Sequence, residues 1–369
     1  MEITRVKTKK DLYDFILLPW KIYKNYPNWV PPLINEVKET LDTQKYPFWE
    51  HARRELFLAR DAKGEVIGRI AGIIDENHNK YHNEKMGFFG FFECVNDHSV
   101  AEKLLDAARD YVKSHGMTHF RGPVNPSMND ECALLVEGFD MPPTVMMPYN
   151  PPYYIELFEK YGLKKIKDLY AFVKDKAGIP EVVLRLIERY ERRENVVIRQ
   201  IDMRNLKREA TYLREVYNDA WADNWGFVPM TEKEMDYTIK KLKPIAEPQL
   251  VLFAEVKGKV AGAIASIPDI NVILKHLNGR LGIIGVLKFL YYRKKIKKIR
   301  SIIGGVKKEF RGSGLFAALY YHTEINGLKL GYKCAELGWN LEDNRQINEF
   351  EAAVGARLYK RYRIFEMPV

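Results

Sequence analysis

The chain has 369 residues, 46% hydrophobic and 29% charged, with a formal net charge of +10. That length exceeds what one hydrophobic core usually fills, so two domains are expected, and the composition excludes a disordered or collagen-like chain. Cys94, Cys132 and Cys334 stand far apart with no Cys-x-x-Cys, which points to neither a disulfide framework nor a zinc site, and no metal is expected.

Residues 1–7 begin as a polar strand. Residues 56–62 and 65–75 read as tandem strands, and 101–115 as a helix. Apolar spacing over 179–194 predicts an amphipathic helical connector. Beyond it, 198–202 alternates as a short strand, 206–222 has helical spacing, and 250–257 with 259–268 forms a hairpin at Gly258. A strand over 299–307 runs through a glycine turn into a helix over 315–329. A strand over 333–340, a helix from Asn344 and a strand over 359–366 close the chain. The spacing predicts a mixed α/β layer arrangement.

The two halves repeat one another. The string LFLARDAKGEVIGRIAGIID (56–75) matches LFAEVKGKVAGAIASIPD (252–269), setting Gly68 on Gly262 and Asp75 on Asp269 at a shift of 194. Upstream, Tyr23 and Trp29 pair with Tyr217 and Trp225. Downstream, Gly90 pairs with Gly304, Gly116 with Gly331, Asn125 and Asn129 with Asn340 and Asn344, and Gly162 with Gly355. The shift rises to about 215 and returns to 193, so each copy carries one insertion at a different place. Domains are expected at 1–176 and 195–369, joined by a helical connector at 177–194, with the second copy's basic amphipathic insertion near 272–298.

The run VKKEFRGSGLFAA (306–318) carries the chemistry. A helix start leaves backbone N–H groups unpaired, and the aligned peptide dipoles add partial positive charge there. Gly312 and Gly314 let a ligand approach that backbone, and Arg311 adds a fixed charge. Such a turn suits a diphosphate. The first copy has Asp97, His98, Ser99 and Val100 in this place. A carboxylate and a branched side chain repel a diphosphate, so the first copy is expected to bind no such cofactor.

Six of the eight residues 293–300 are Lys or Arg, and they follow LGIIGVLKFLYY (281–292). Two readings stand: a solvated helix face, or an interfacial helix resting on an anionic membrane surface through 281–300. No nucleic-acid module accompanies the basic run, so a nucleic-acid partner is not expected. Gly279, Gly282 and Gly285 weaken a continuous helix at its start and suggest a hinge. No signal peptide and no run of membrane-spanning length is evident. A cytoplasmic location, peripheral to the membrane, is expected.

The order of elements, with V-x-x-x-x-R-G-x-G-L across the fourth strand and first helix turn, resembles the GNAT superfamily of acyl-CoA-dependent N-acyltransferases. The whole chain resembles bacterial tandem GNAT proteins. NWVPPL (28–33), GFFGFFE (87–93), GPVNPS (122–127), MMPYNPPYY (146–154) and KRYRIFE (360–366) resemble a bacterial ceramide-synthase-like subfamily, which N-acylates a long-chain amine. The resemblance implies two tandem GNAT-like α/β folds with mixed sheets. It also implies transfer of an acyl group from acetyl-CoA, a longer acyl-CoA or a carrier thioester to a small-molecule or lipid amine. Two other functions fit such a chain: a non-catalytic acyl-CoA sensor or membrane-surface protein, and an aminoacyl transferase of the peptidoglycan type.

The resemblance also implies roles for residues. Arg311, Gly312, Ser313, Gly314 and Leu315 match the phosphate-binding pattern, with Phe316 where the family has glycine or alanine. Backbone groups of Gly305 and Val306 would hold the thioester, and Asn344 would lie at the cofactor. The family often has a tyrosine on the last helix to protonate the departing thiolate. Glu351 falls at that position here, leaving Tyr320, Tyr321 or solvent to serve. Glu336 is the first candidate base, on one strand face with Asn340 by period two, and Asp269 the second. Asn218, Trp221, Asn224 and Trp225 are candidates for the acceptor pocket. In the first copy Arg121, Asn125, Asn129, Tyr149, Asn150, Tyr153 and Tyr154 form a polar and aromatic cluster that would line a cleft or satisfy turns.

Overall fold

A computed structural model describes residues 1–176 and 178–369, with the backbone alone given for 186, 193 and 194. The start of the expected connector, at residue 177, lies outside the described residues. The chain forms two compact units. Unit 1 is Met1–Leu169, Ile273–Leu290 and Lys360–Val369, and unit 2 is Tyr170–Val272 and Tyr291–Tyr359.

In chain order the first half supplies β1 (Glu2–Arg5), α1 (Lys9–Ile22), α2 (Ile34–Thr40), β2 (Ala52–Arg60), β3 (Val66–Asp75), α3 (Glu76–His82), β4 (Met86–Cys94) and α4 (His98–Ser114). It continues with β5 (His119–Gly122), β6 (Val124–Asn125), β7 (Glu131–Cys132), β8 (Leu134–Glu137), α5 (Tyr154–Tyr161) and β9 (Lys164–Lys174). Next come α6 (Glu181–Glu194), β10 (Val196–Gln200), α7 (Leu206–Ala220), α8 (Glu232–Leu242), β11 (Val251–Val256), β12 (Lys259–Pro268), α9 (Asn271–Leu277) and α10 (Ile283–Arg293). The chain ends with β13 (Lys298–Val306), α11 (Leu315–Lys329), β14 (Cys334–Leu341), α12 (Arg345–Ala353) and β15 (Arg357–Pro368). The expected mixed α/β arrangement is observed, and the helix predicted over 315–329 coincides with α11.

Unit 1 orders its strands β1-β2-β3-β4-β5-β15. The β4–β5 pair is parallel and the remaining neighbours are antiparallel. Helix α4 lies close on one face because Gly68 and Gly87 have no side chain. A Cβ on either would fall 2.5 Å from Leu104 or 2.4 Å from Val112. The core here joins Leu104, Leu105, Ala108 and Val112 to Phe89, Phe120, Phe158 and Phe365. The segment from the long insertion is tied into the same unit. Trp20 Nε1 donates to Asn278 Oδ1 at 2.9 Å, and Ile34 N donates to Gly279 O at 3.0 Å. Gly279 takes φ +82°, and a Cβ there would lie 2.5 Å from the Trp20 ring. It is a packing position, and α10 starts after it, at Ile283.

Unit 2 orders its strands β9-β14-β13-β12-β11-β10, with β13 and β14 parallel. One face is covered by α7 and α8, through Ala210, Leu213, Val216 and Met235 on Phe253 and Ile303. The other carries α11 on Leu252, Ala254 and Ile264, with Tyr190 of α6 packed beside it. Each unit thus packs helices on a sheet, and in unit 2 both faces of the sheet are covered.

Neither unit coincides with a sequence half. The closing strand of the chain, β15, hydrogen-bonds to β5 in unit 1, from Phe365↔Gly122 to Pro368↔His119. The closing strand of the first half, β9, contributes Tyr170–Lys174 to unit 2, beside β14. Sequence repetition locates the strands but leaves their partners open, since either closing strand satisfies a sheet edge.

Candidate active site

Unit 2 opens its sheet into a fork between β13 and β14. Their parallel register runs from Lys298↔Cys334 to Ser301↔Leu337 and stops there. Two local features separate the strands. On β13, the register with β12 jumps from Ser301↔Ser266 to Ile303↔Ala265, so Ile302 is a bulge residue. A bulge bends its strand and leaves one residue out of the ladder. On β14, Gly338 takes φ +115°, and a Cβ there would lie 2.8 Å from Tyr170 O. Only glycine fits that position, on both counts.

The strand beyond the bulge is clasped by aromatic rings. A Cβ at Gly304 would meet Phe316 at 3.1 Å, and one at Gly305 would meet Ala220 at 2.8 Å and Trp221 at 2.9 Å. Phe316 therefore points onto the strand, away from the turn, and its ring meets Phe350 of α12 at 5.3 Å.

The turn between β13 and α11 has the conformation its glycines permit. Gly312 has φ +73° and Gly314 φ +87°, with open space where a side chain at Gly312 would stand. The N-terminus of α11 has no side-chain cap, and only a long 3.4 Å bond joins Leu315 N to Ser313 Oγ. Arg311 and Lys308 flank the turn. Arg311 Nη2 donates to Ala220 O at 2.8 Å, while Asp223 bridges Arg311 at 3.3 Å and Lys308 at 2.8 Å. The Lys308 hydrogen bond, then its charge and Arg311, hold the exposed Asp223 carboxyl below its ordinary range. These are solvent-exposed pairs, which are weak and exchangeable. Bare helical N–H groups, two left-handed glycines and two exchangeable cations fit a diphosphate.

Unit 1 has the corresponding fork, closed by its own chain. Its parallel pairs run from Met86↔His119 to Phe88↔Arg121, after which β6 fills the gap. A Cβ at Gly90 would fall 1.6 Å from Val124 O, and Asn125 Oδ1 accepts from Phe91 N at 2.6 Å. Asp97 caps α4, its carboxylate accepting from Ser99 N at 2.8 Å and Val100 N at 3.4 Å. The start of this helix is satisfied by a carboxylate of the protein itself.

The remaining expectations are redistributed. Glu336 is fully buried, 3.5 Å from Arg300, in an interior ion pair. The expected shared face of Glu336 and Asn340 is not formed. Left-handed Gly338 breaks the two-residue alternation, and Leu337 and Asn340 both turn toward α12. Asn344 caps α12, accepting from Ile347 N at 3.4 Å. Asp269 accepts from Asn271 N at 3.3 Å, just ahead of α9. Asn218 pins Met230 through both backbone groups, and Trp221 packs against Gly305 and, at 4.8 Å, Tyr217. Asn224 and Trp225 lie in the half-buried turn after α7. The first-copy cluster is knitted internally: Arg121 to Glu366 at 2.7 Å, Asn150 to both backbone groups of Leu135, Tyr153 to Cys94 O, and Tyr154 to Glu93 at 2.8 Å.

Glu351, the residue in place of a tyrosine, is the titratable group that the geometry brings forward. It is buried on α12 and accepts from Asn340 Nδ2 at 2.8 Å. Burial raises its carboxyl to about 8, against the smaller opposing effect of the Asn340 hydrogen bond. Tyr320 is raised further still, by burial and then by Glu324 and Glu351, which leaves it a poor proton donor. Sequence position alone gave no reason to rank Glu351, because its burial is a tertiary property. From the vertex of the fork a narrow cleft, open to solvent, runs beneath α11. It is lined among others by Ser301, Leu337, Tyr320, Ile299, Gly327 and Ala335. Among the described residues no group of His, Cys, Asp and Glu could hold a metal ion.

No family model matches the chain. It is 37% identical over 375 residues to a bacterial ceramide synthase of Caulobacter vibrioides, covering 99% of this chain and 97% of that protein. It is 33% identical over 370 residues to protein YghO of Escherichia coli, covering 98% of this chain and 94% of that one. Among solved structures, a tandem GNAT protein from the clavulanic acid biosynthesis pathway superposes over 100% of this chain and 98% of that one, with TM-score 0.54 and 13% identity. A GCN5-related glucosamine N-acetyltransferase region of a fungal multi-domain β-N-acetylglucosaminidase superposes with TM-score 0.60 and 14% identity, over 99% of this chain and 38% of that one. The chain belongs to the bacterial ceramide synthase family, is an acyltransferase, and has the tandem GNAT fold.

Proposed function

We propose that the protein N-acylates a long-chain amine with the acyl group of an acyl-CoA, using the fork of unit 2 alone. One observation carries this reading: the same fork stands open beside a bare glycine turn in unit 2 and is closed by its own chain beside a capped helix in unit 1. The relative named a ceramide synthase favours an acceptor of the sphingoid-base kind.

The acyl-CoA would supply an activated carbonyl and a thiolate leaving group. Arg311, Lys308 and the α11 N-terminus bind the diphosphate by charge and N–H donation. The free edge of β13 beyond Ser301 offers backbone donors where charge develops on the carbonyl oxygen. The neutral amine nitrogen attacks, the C–N bond forms and the C–S bond breaks. Glu351, neutral below about pH 8, gives its proton to the departing sulfur. The proton lost by nitrogen restores it.

Incubation with acyl-CoAs and an amine panel, following thiol release, tests the reading. Gly314→Val forces a branched residue to φ +87° at the turn. It is expected to lower acyl-CoA affinity at least tenfold, while Asp97→Ala in unit 1 costs about 1 kcal/mol of stability and leaves affinity unchanged. Equal loss in both variants, or thiol release without amine dependence, overturns it; tight CoA binding without turnover indicates a sensor. The cleft under α11 suits the acyl chain. Gly327 lies on its wall, with Ile299 3.5 Å from the place of a Cβ. Gly327→Leu is therefore expected to shift preference toward shorter acyl-CoAs, read as a change in relative kcat/KM across chain lengths.

A further inference from the structure

Helix α10 is apolar on the side that faces solvent. Leu281, Ile283, Ile284, Val286, Leu287, Leu290 and Tyr291 are all at least half exposed, Ile283 at 87%. The more covered positions of the helix are Gly285, Phe289 and Tyr292. A helix apolar on every side is normally covered, and exposed patches of this kind mark interaction surfaces.

The charge around it identifies what covers it. No Asp or Glu occurs between Asp269 and Glu309, while Lys288 lies on the helix and Arg293, Lys294, Lys295, Lys297 and Lys298 follow directly. Lys294, Lys295 and Lys297 are exposed. An apolar protein groove would account for the Leu and Ile side chains but not for an acid-free basic flank. A bilayer with anionic headgroups accounts for both: apolar side chains enter the acyl boundary while the cations remain among the phosphates. Eleven helical residues span only about 16 Å, too little to cross a bilayer, so the helix lies flat. Among the described residues no helix is long and apolar enough to cross a membrane.

We infer that α10 and the basic run after it dock this protein on the surface of anionic membranes. The inference stands on exposure and charge and does not depend on which amine is acylated.

The test uses the full chain and sedimentation with vesicles of phosphatidylcholine alone or with about one-third phosphatidylglycerol. Binding to the anionic vesicles is expected, weakening as salt rises, with little binding to the neutral ones. Leu287→Glu is exposed and should leave the melting temperature unchanged while lowering the partition coefficient more than tenfold. Lys294→Ala and Lys297→Ala are each expected to lower it about fivefold. Absence of binding, or binding indifferent to all three variants, overturns the proposal. So does a dimer in solution that Leu287→Glu dissociates, since a second copy would then be what covers the helix.

Discussion

Glu351→Gln is expected to slow acyl transfer by a factor of about 10²–10³ near pH 7, because the amide keeps the shape and the Asn340 contact but has no transferable proton. The pH profile separates this role from others. A proton donor that titrates near 8 gives a wild-type rate constant that declines as pH rises through that value. The variant should lose that limb. A rate that rises through pH 8 would make Glu351 a base, and an unchanged profile would remove it from the chemistry. The charged groups nearby do not set its titration: Lys174 is engaged by Glu324 at 3.0 Å, so its charge is already offset.

The same carboxyl makes a separate stability prediction. Its folded value, about 8, lies above the ordinary 4.5, so the folded protein holds the proton more tightly than the unfolded chain. Stability from this group is greatest below about pH 4.5, falls as pH rises toward 8, and is level beyond. The change amounts to a few kcal/mol, at about 1.4 kcal/mol for each tenfold difference in proton affinity. Glu351→Gln should flatten that slope and be the more stable form at pH 8, measured by urea denaturation at pH 6 and 8.

Gly90→Ala is expected to destabilise the protein by about 3 kcal/mol or more, since the added methyl would stand on a backbone carbonyl, that of Val124. Gly304→Ala, its counterpart in unit 2, meets only the far edge of the Phe316 ring at 3.1 Å, which can tilt. The expected cost is below about 1 kcal/mol, with a larger effect on turnover than on melting temperature. Equal melting temperatures for the two variants would mean that the fork of unit 1 is not closed by residues 123–125.

The pair also indicates what was legible in the sequence. The repeat, the hairpins, the glycine turn and helix α11 rest on local spacing, and local spacing survives translation into structure. The glycine turn could be read because Gly312 and Gly314 take left-handed backbone just before a helix. The shared face of Glu336 and Asn340 failed to form because period-two reasoning assumes an unbroken strand, and Gly338 leaves the strand region at φ +115°. Glu351 could be located by counting but not valued, since a carboxyl's proton affinity depends on what surrounds it. The closing of unit 1's fork was only half visible: Asp97 stood where a helix cap was to be found, while the carbonyl of Val124 left no mark in the residue pattern.

The partners of β9 and β15 bear on how this gene can change. A fragment ending near residue 176 would lack residues 365–368 along β5, and one starting near 195 would lack Tyr170–Lys174 beside β14. Each fragment would carry a raw sheet edge inviting association with another chain. Deleting either half would therefore leave the other without a closing strand, so the exchanged strands hold the two halves in one chain.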